Sequence, residues 1–128
     1  MVEDFDSAFD SGTDPATADE AFLRYVKHAF TQMLALRGGD IGYPRTLPHR
    51  LERAGLGQVG GEGRLVFARG GSAGARVHVA NLRQVGGQMV AAGLVTTEEI
   101  SRAVCLLEDP ALIWAMPIMI SAWGRKAQ

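Results

Sequence analysis

Leu112-Ile113-Trp114-Ala115-Met116-Pro117-Ile118-Met119-Ile120-Ser121-Ala122-Trp123 decides the fold class. The stretch is shorter than the roughly 20 residues a membrane helix needs, and Pro117 interrupts it. It is too apolar for a half-exposed strand and is predicted to be a strand buried on both faces. Pro117 has no N–H for a ladder, so one side must be an edge or a bulge. A second strand is predicted from Gln58 to Arg69, with Leu65 and Phe67 pointing one way and Val66 and Ala68 the other. Gly60, Gly61 and Gly63 weaken its first half and suit a bulge. The two strands are separated by helices yet suit one sheet, paired antiparallel.

Helices surround these strands. Thr17 and Glu20 have capping-box spacing. Ala21, Phe22, Tyr25, Val26, Ala29, Phe30, Met33 and Leu34 then recur on one helical face. Gly38 and Gly39 supply a left-handed stop. A short helix is predicted from Leu47 to Ala54, with Pro48 in its first turn and Gly55 ending it. Ser72 caps a third helix reaching to about Ala92. Its inward face is Ala75, Val79, Leu82, Val85 or Gly86, and Met89, and Gly86-Gly87 predicts a kink or break. Thr96 and Glu99 form a second capping box, for a helix with Ile100, Ala103, Val104 and Leu107 inward and Asp109-Pro110 as its stop. Residues 1–16 read as an acidic strand or arm, with Phe5 to Pro15 a loop. Residues 17–128 read as a single domain. The expected class is α+β: a small antiparallel sheet of two or three strands with about four helices packed on it.

Composition bounds the function. The 128 residues suffice for one domain, and 47% apolar with 21% charged residues is ordinary for a globular chain. A net charge of −1 offers no phosphate-binding surface, so nucleic acid is not an expected partner. The single cysteine, Cys105, excludes an internal disulfide framework and fits a reducing cytoplasm. Flanked by Val104 and Leu106, it is expected to be buried and inert. The acidic start is unlike a secretory signal, so a soluble cytoplasmic protein is expected. The three histidines are not at metal-ligand spacing, and no metal site is expected.

Four strings carry a family resemblance through their order and spacing. They are Val2-Glu3-Asp4-Phe5, Leu47-Pro48-His49-Arg50-Leu51-Glu52-Arg53-Ala54-Gly55-Leu56, Gln58-Val59 with Glu62-Gly63-Arg64, and Ile118-Met119-Ile120-Ser121-Ala122-Trp123-Gly124-Arg125. In turn they resemble a strand end, the helix leading to the sixth strand, the start of that strand, and the closing strand of bacterial class I S-adenosylmethionine-dependent methyltransferases. The match spans nearly the whole chain. It implies the substrate-side, C-terminal half of a truncated Rossmann-like fold. The family's cofactor sits on a Gly-rich turn after the first strand, with an acidic residue ending the second. Both precede the region resembled, and Gly60-Gly61-Glu62-Gly63 and Gly70-Gly71 do not substitute for them. No cofactor is therefore expected for this chain alone, and S-adenosylmethionine only where a partner or a dimer completes the site. The helices Glu20 to Leu36 and Ala75 to Ala92 would cover the substrate.

The candidate residues each have a structural and a chemical reading. His28, His49 and Tyr43 are the candidate proton-transfer groups. His28 also fits a helix boundary, His49 a surface position, and Tyr43-Pro44-Arg45 a turn. Tyr25, Arg45, Asn81, Trp114 and Met116 are the candidate substrate contacts, though Trp114 and Met116 also suit a plain core. Asp40 and Arg45 could pair across their loop, which would be structural, and His78 could line a cavity. A sheet without its first strands has an open edge, which invites a homodimer or a cofactor-binding partner chain. The expected function is a methyltransferase-like cap domain that binds a small molecule and does not methylate alone. The alternatives are a cofactor-free cyclase or isomerase acting on a small apolar metabolite, and a non-catalytic dimeric interaction module.

Overall fold

The computed structural model describes residues 1–7 and 17–128. Its strands are β1 (Val2–Asp6), β2 (Leu56–Arg64), β3 (Phe67–Arg69), β4 (Ile113–Ala115) and β5 (Ile118–Lys126). Its helices are α1 (Ala18–Leu36), α2 (Leu47–Arg53), α3 (Ala73–Ala91) and α4 (Thr97–Glu108), with a 3-10 turn at Tyr43–Thr46. The class is α+β, as the sequence predicts. The elements fall into two compact units: β1, the 3-10 turn, α2, β2 and β5 in one, and α1, β3, α3, α4 and β4 in the other. Most of the loop expected after Phe5 lies outside the described residues. No helix among the described residues is long and apolar enough to cross a membrane.

In the sheet unit the strand order is β1-β5-β2, and β5 runs antiparallel to both neighbours. β1 and β2 therefore run parallel to each other. The register sets Asp4 opposite Ile120 and Gly61 opposite Ala122. The expected bulge is present between Gly57 and Gly60, where Gln58 takes a φ of 50°. The glycines of β2 have packing reasons as well. A Cβ on Gly61 would come within 3.3 Å of Pro48 Cγ, so glycine there lets α2 lie close on the sheet. Ala122, on the same face, is fully buried.

The helical unit holds the larger core. Leu23, Val26, Ala29 and Met33 of α1 pack with Val79, Leu82 and Met89 of α3, Ala103 and Leu107 of α4, and Trp114 of β4. Two of the three N-caps read from sequence close as expected, while Ser72 holds the N-cap position of α3 without a side-chain cap bond. Thr17 accepts from the Glu20 N–H at 3.1 Å, and Thr96 and Glu99 close a reciprocal capping box. α1 ends with Gly38 at φ 84°, where the Gly39 N–H reaches the Leu34 carbonyl and the Gly38 N–H the Ala35 carbonyl. α3 ends the same way through Gly93 and Leu94.

Four expectations are corrected. Both predicted strands break, and their halves lie in different sheets. The first breaks at Leu65-Val66, which are 40% and 45% exposed. The closing stretch breaks at Met116-Pro117, where the missing proline N–H cannot continue a ladder. The closing stretch is also not buried on both faces. Trp114 is buried, but Ile113 is 48% and Trp123 40% exposed. Within the sheet unit, α2 covers only the face bearing Gly61 and Ala122, and Trp123 alternates to the other. α3 runs unbroken through Gly86-Gly87, because a Cβ-free Gly86 lets Ile100 pack directly on the helix. Cys105 is exposed. α4 buries Ala103 and Leu107, one turn apart, and Cys105 falls between them on the wet side.

Candidate functional site

Charged groups lie at the carboxyl ends of the two strands that run parallel, β1 and β2. Asp6 ends β1 and is only 2% exposed. Arg45, from the 3-10 turn, donates Nε–H to Asp6 Oδ2 at 2.7 Å. A buried carboxylate is costly unless paired and hydrogen-bonded, and the guanidinium meets that need. The Asp40–Arg45 pair does not form: Asp40 Oδ1 instead accepts the Gly42 N–H at 3.1 Å, tightening the turn. Arg64 ends β2 at the same end of the sheet but on its opposite face, since Arg64 pairs with Met119 and Asp6 with the preceding Ile118. Two strand spacings, about 10 Å, separate β1 from β2. In open α/β sheets ligands bind outside the carboxyl ends of the strands. Arg45, whose side chain is still 59% exposed and is held by the buried Asp6, is therefore the polar group on this face best placed to meet a ligand.

Tyr43 stands beside this end, engaged by its own turn. The Thr46 hydroxyl donates to the Tyr43 carbonyl at 2.7 Å, and Arg50 Nε–H donates to Thr46 Oγ1 at 2.8 Å. This places the Arg50 guanidinium 4.5 Å from the centre of the Tyr43 ring, a cation–π contact. His49 is exposed and 3.7 Å from an equally exposed Glu52, a surface pair of little energy. The structure thus brings Tyr43, Arg45 and His49 into one unit through their nearness in sequence. His28 stands in the other unit, exposed on α1.

The remaining candidates belong to the helical unit. Trp114 and Met116 are core residues, 8% exposed each. Tyr25 is half-exposed and donates its hydroxyl to the Leu94 carbonyl at 3.1 Å, tying α1 to the turn before α4. Partial withdrawal from water and then the nearby Glu99 carboxylate raise its pKa. Asn81 is half-buried on α3. His78 does not line the open groove along α3. Its Nε2 is buried without a hydrogen-bond partner, and burial followed by the Lys27 charge hold its pKa below the ordinary 6.5.

An open groove of about 790 Å³ runs along α3, lined by Gly71, Arg76, Val79, Ala80, Arg83, Gln84 and Glu108. Residues 76, 79, 80, 83 and 84 form one helical stripe, a spacing legible in sequence. Arg83 crosses to Glu108 of α4 at 3.3 Å, and Arg76 Nε–H donates to the Gly71 carbonyl at 3.1 Å. Gly70-Gly71 joins β3 to α3 but is not a phosphate cradle. A Cβ at Gly70 would sit inside the Asp109 backbone, and the Gly71 N–H donates to the Leu107 carbonyl at 2.8 Å. The turn is filled by the carbonyl end of α4, which repels anions.

No family model, curated protein or solved structure matches the chain. The α+β fold and these two polar regions are what define it.

Proposed function

We propose that this chain is the substrate-side part of a methyltransferase-like α/β fold, whose sheet continues past β1 into the strands of a cofactor-binding half. One observation carries this. β1 and β2 are parallel, β5 is inserted antiparallel between them, and among the described residues β1 has β5 as its one strand neighbour. Largely parallel sheets of doubly wound folds commonly carry such an antiparallel strand near an edge. Continuation at the outer edge of β1 would place the exposed Arg45, held by Asp6, at the ligand end of the completed sheet. In this arrangement Arg45 orients a small-molecule substrate, and the methyl donor is held elsewhere. The Gly70-Gly71 turn, filled by α4, supports that division of labour.

Calorimetric titration of the 128-residue chain with S-adenosylmethionine tests the proposal. No binding is expected from this chain by itself. A Kd below about 100 μM, roughly −5.5 kcal/mol, would place a complete cofactor site within these residues and overturn it.

A further inference from the structure

The outer edge of β1 is not blank backbone. The Phe5 N–H donates to Asp4 Oδ1 at 2.8 Å, and the Phe5 carbonyl accepts the Ser7 N–H at 3.1 Å. In an antiparallel pair a residue sends its N–H and C=O to the same side. Phe5 therefore turns both away from β5, and so does Glu3, two residues earlier. Asp4 lies between them and uses its side chain to occupy one of the few donors on this edge.

The three acids of β1 differ in what they touch. Glu3 Oε1 accepts the Ser121 hydroxyl at 2.7 Å across the ladder, and Asp6 is bonded to Arg45. Asp4 is exposed, and among the described residues its carboxylate meets no cation, only the backbone N–H of Phe5. A strand that pairs along this edge must take the Phe5 N–H for its own carbonyl. That frees the Asp4 carboxylate beside the new strand, where it favours a cation.

A second copy of the chain is a poor occupant. In two-fold antiparallel self-pairing centred on the strand, Asp4 faces Asp4. Shifting the register one way sets Glu3 against Glu3, and the other way sets Asp4 against Asp6. Like charges directly opposite each other destabilise a strand pair, and charged side chains are a known means of keeping sheet edges apart.

We infer that the β1 edge is a selective strand-docking surface: Asp4 holds it against a second copy, and it accepts a strand carrying a lysine or arginine opposite Asp4. This rests on the proposal that β1 is completed by another strand, but not on what that strand's domain binds.

The test uses the full chain and two synthetic peptides, acetyl-Thr-Val-Lys-Val-Thr-amide and its counterpart with Glu in place of Lys. Binding is followed by the amide resonances of Glu3 and Phe5. The lysine peptide is expected to shift both and to bind about fivefold tighter than the glutamate peptide at low salt. Asp4→Asn, which keeps the acceptor oxygen, should abolish the preference, and Asp4→Lys should reverse it. Sedimentation should show the wild-type chain not associating through β1. Equal binding of the two peptides, no shift at Glu3 and Phe5 with either, or self-association that protects these amides would each overturn the inference. S-adenosylmethionine plays no part in this test, so its outcome is independent of the cofactor titration.

Discussion

Gly60 and Trp123 are partners across the β2–β5 ladder, and the indole lies over the glycine so closely that a Cβ at 60 would come within 2.9 Å of the ring. The aromatic ring shields an edge strand that four glycines would otherwise weaken. Gly60→Ala forces the indole outward. The expected cost is about 1–3 kcal/mol, read from urea midpoints, with a red-shifted tryptophan emission. An unchanged midpoint and spectrum would show that the ring does not rest on Gly60.

Gly70 and Gly87 should respond in opposite directions to the same substitution. Gly70→Ala drives a methyl into the Asp109 backbone, which cannot step aside as a side chain can. The loss should be several kcal/mol, a large part of what a small domain has. Gly87 is exposed in mid-helix, with nothing within 4 Å of a Cβ. Gly87→Ala should stabilise by about 0.5–1 kcal/mol. Thermal melts by circular dichroism compare the two, and equal effects would refute the packing of the turn on α4.

Arg45 is a charged partner of the buried Asp6. Arg45→Met keeps the stem and removes the charge, and should cost about 1–3 kcal/mol. Asp6→Asn should cost less, since the amide still accepts from Arg45. Urea denaturation ranks them, and an Arg45→Met variant as stable as wild type would mean that the contact contributes nothing.

His78 makes stability depend on pH. Its pKa is lowered in the folded chain, so the unfolded chain binds more protons below the ordinary value of 6.5. Stability is full above pH 6.5 and is lost as pH falls from there through the lower folded value. His78→Gln should flatten this slope between pH 7.5 and pH 5.5. An identical slope in wild type and variant would exonerate His78.

Cys105, on the wet face of α4, should react with a disulfide reagent in the native state at a rate near that of an unfolded control. Reaction only after denaturation would return it to the buried side.

Much of the helical unit was legible in the sequence because its signals are local. A capping box needs residues three apart, and a helix stop needs a glycine just past the last turn. Thr17, Gly38, Gly93 and Thr96 could therefore be placed without knowing what packs where. The inward face of α3 followed from the same spacing, down to Gly86. The polar site was only partly legible. Arg45 stood out because it adjoins Pro44 in a turn, but its partner Asp6 lies 39 residues away, and no spacing rule connects them.

Tertiary structure decided what local pattern leaves open. Period-two alternation marks a strand but not its neighbours, and pairing joins residues far apart in sequence. So the sequence by itself determined an α+β chain, its helix ends and the apolar character of the closing stretch. Only the folded structure decided that Met116-Pro117 divides that stretch between two sheets. It alone turned Cys105 outward and set Gly60 under Trp123. Among the described residues it alone left the outer edge of β1 to Phe5 and Asp4, because which side of a strand stays unpaired depends on the partner taken by the other.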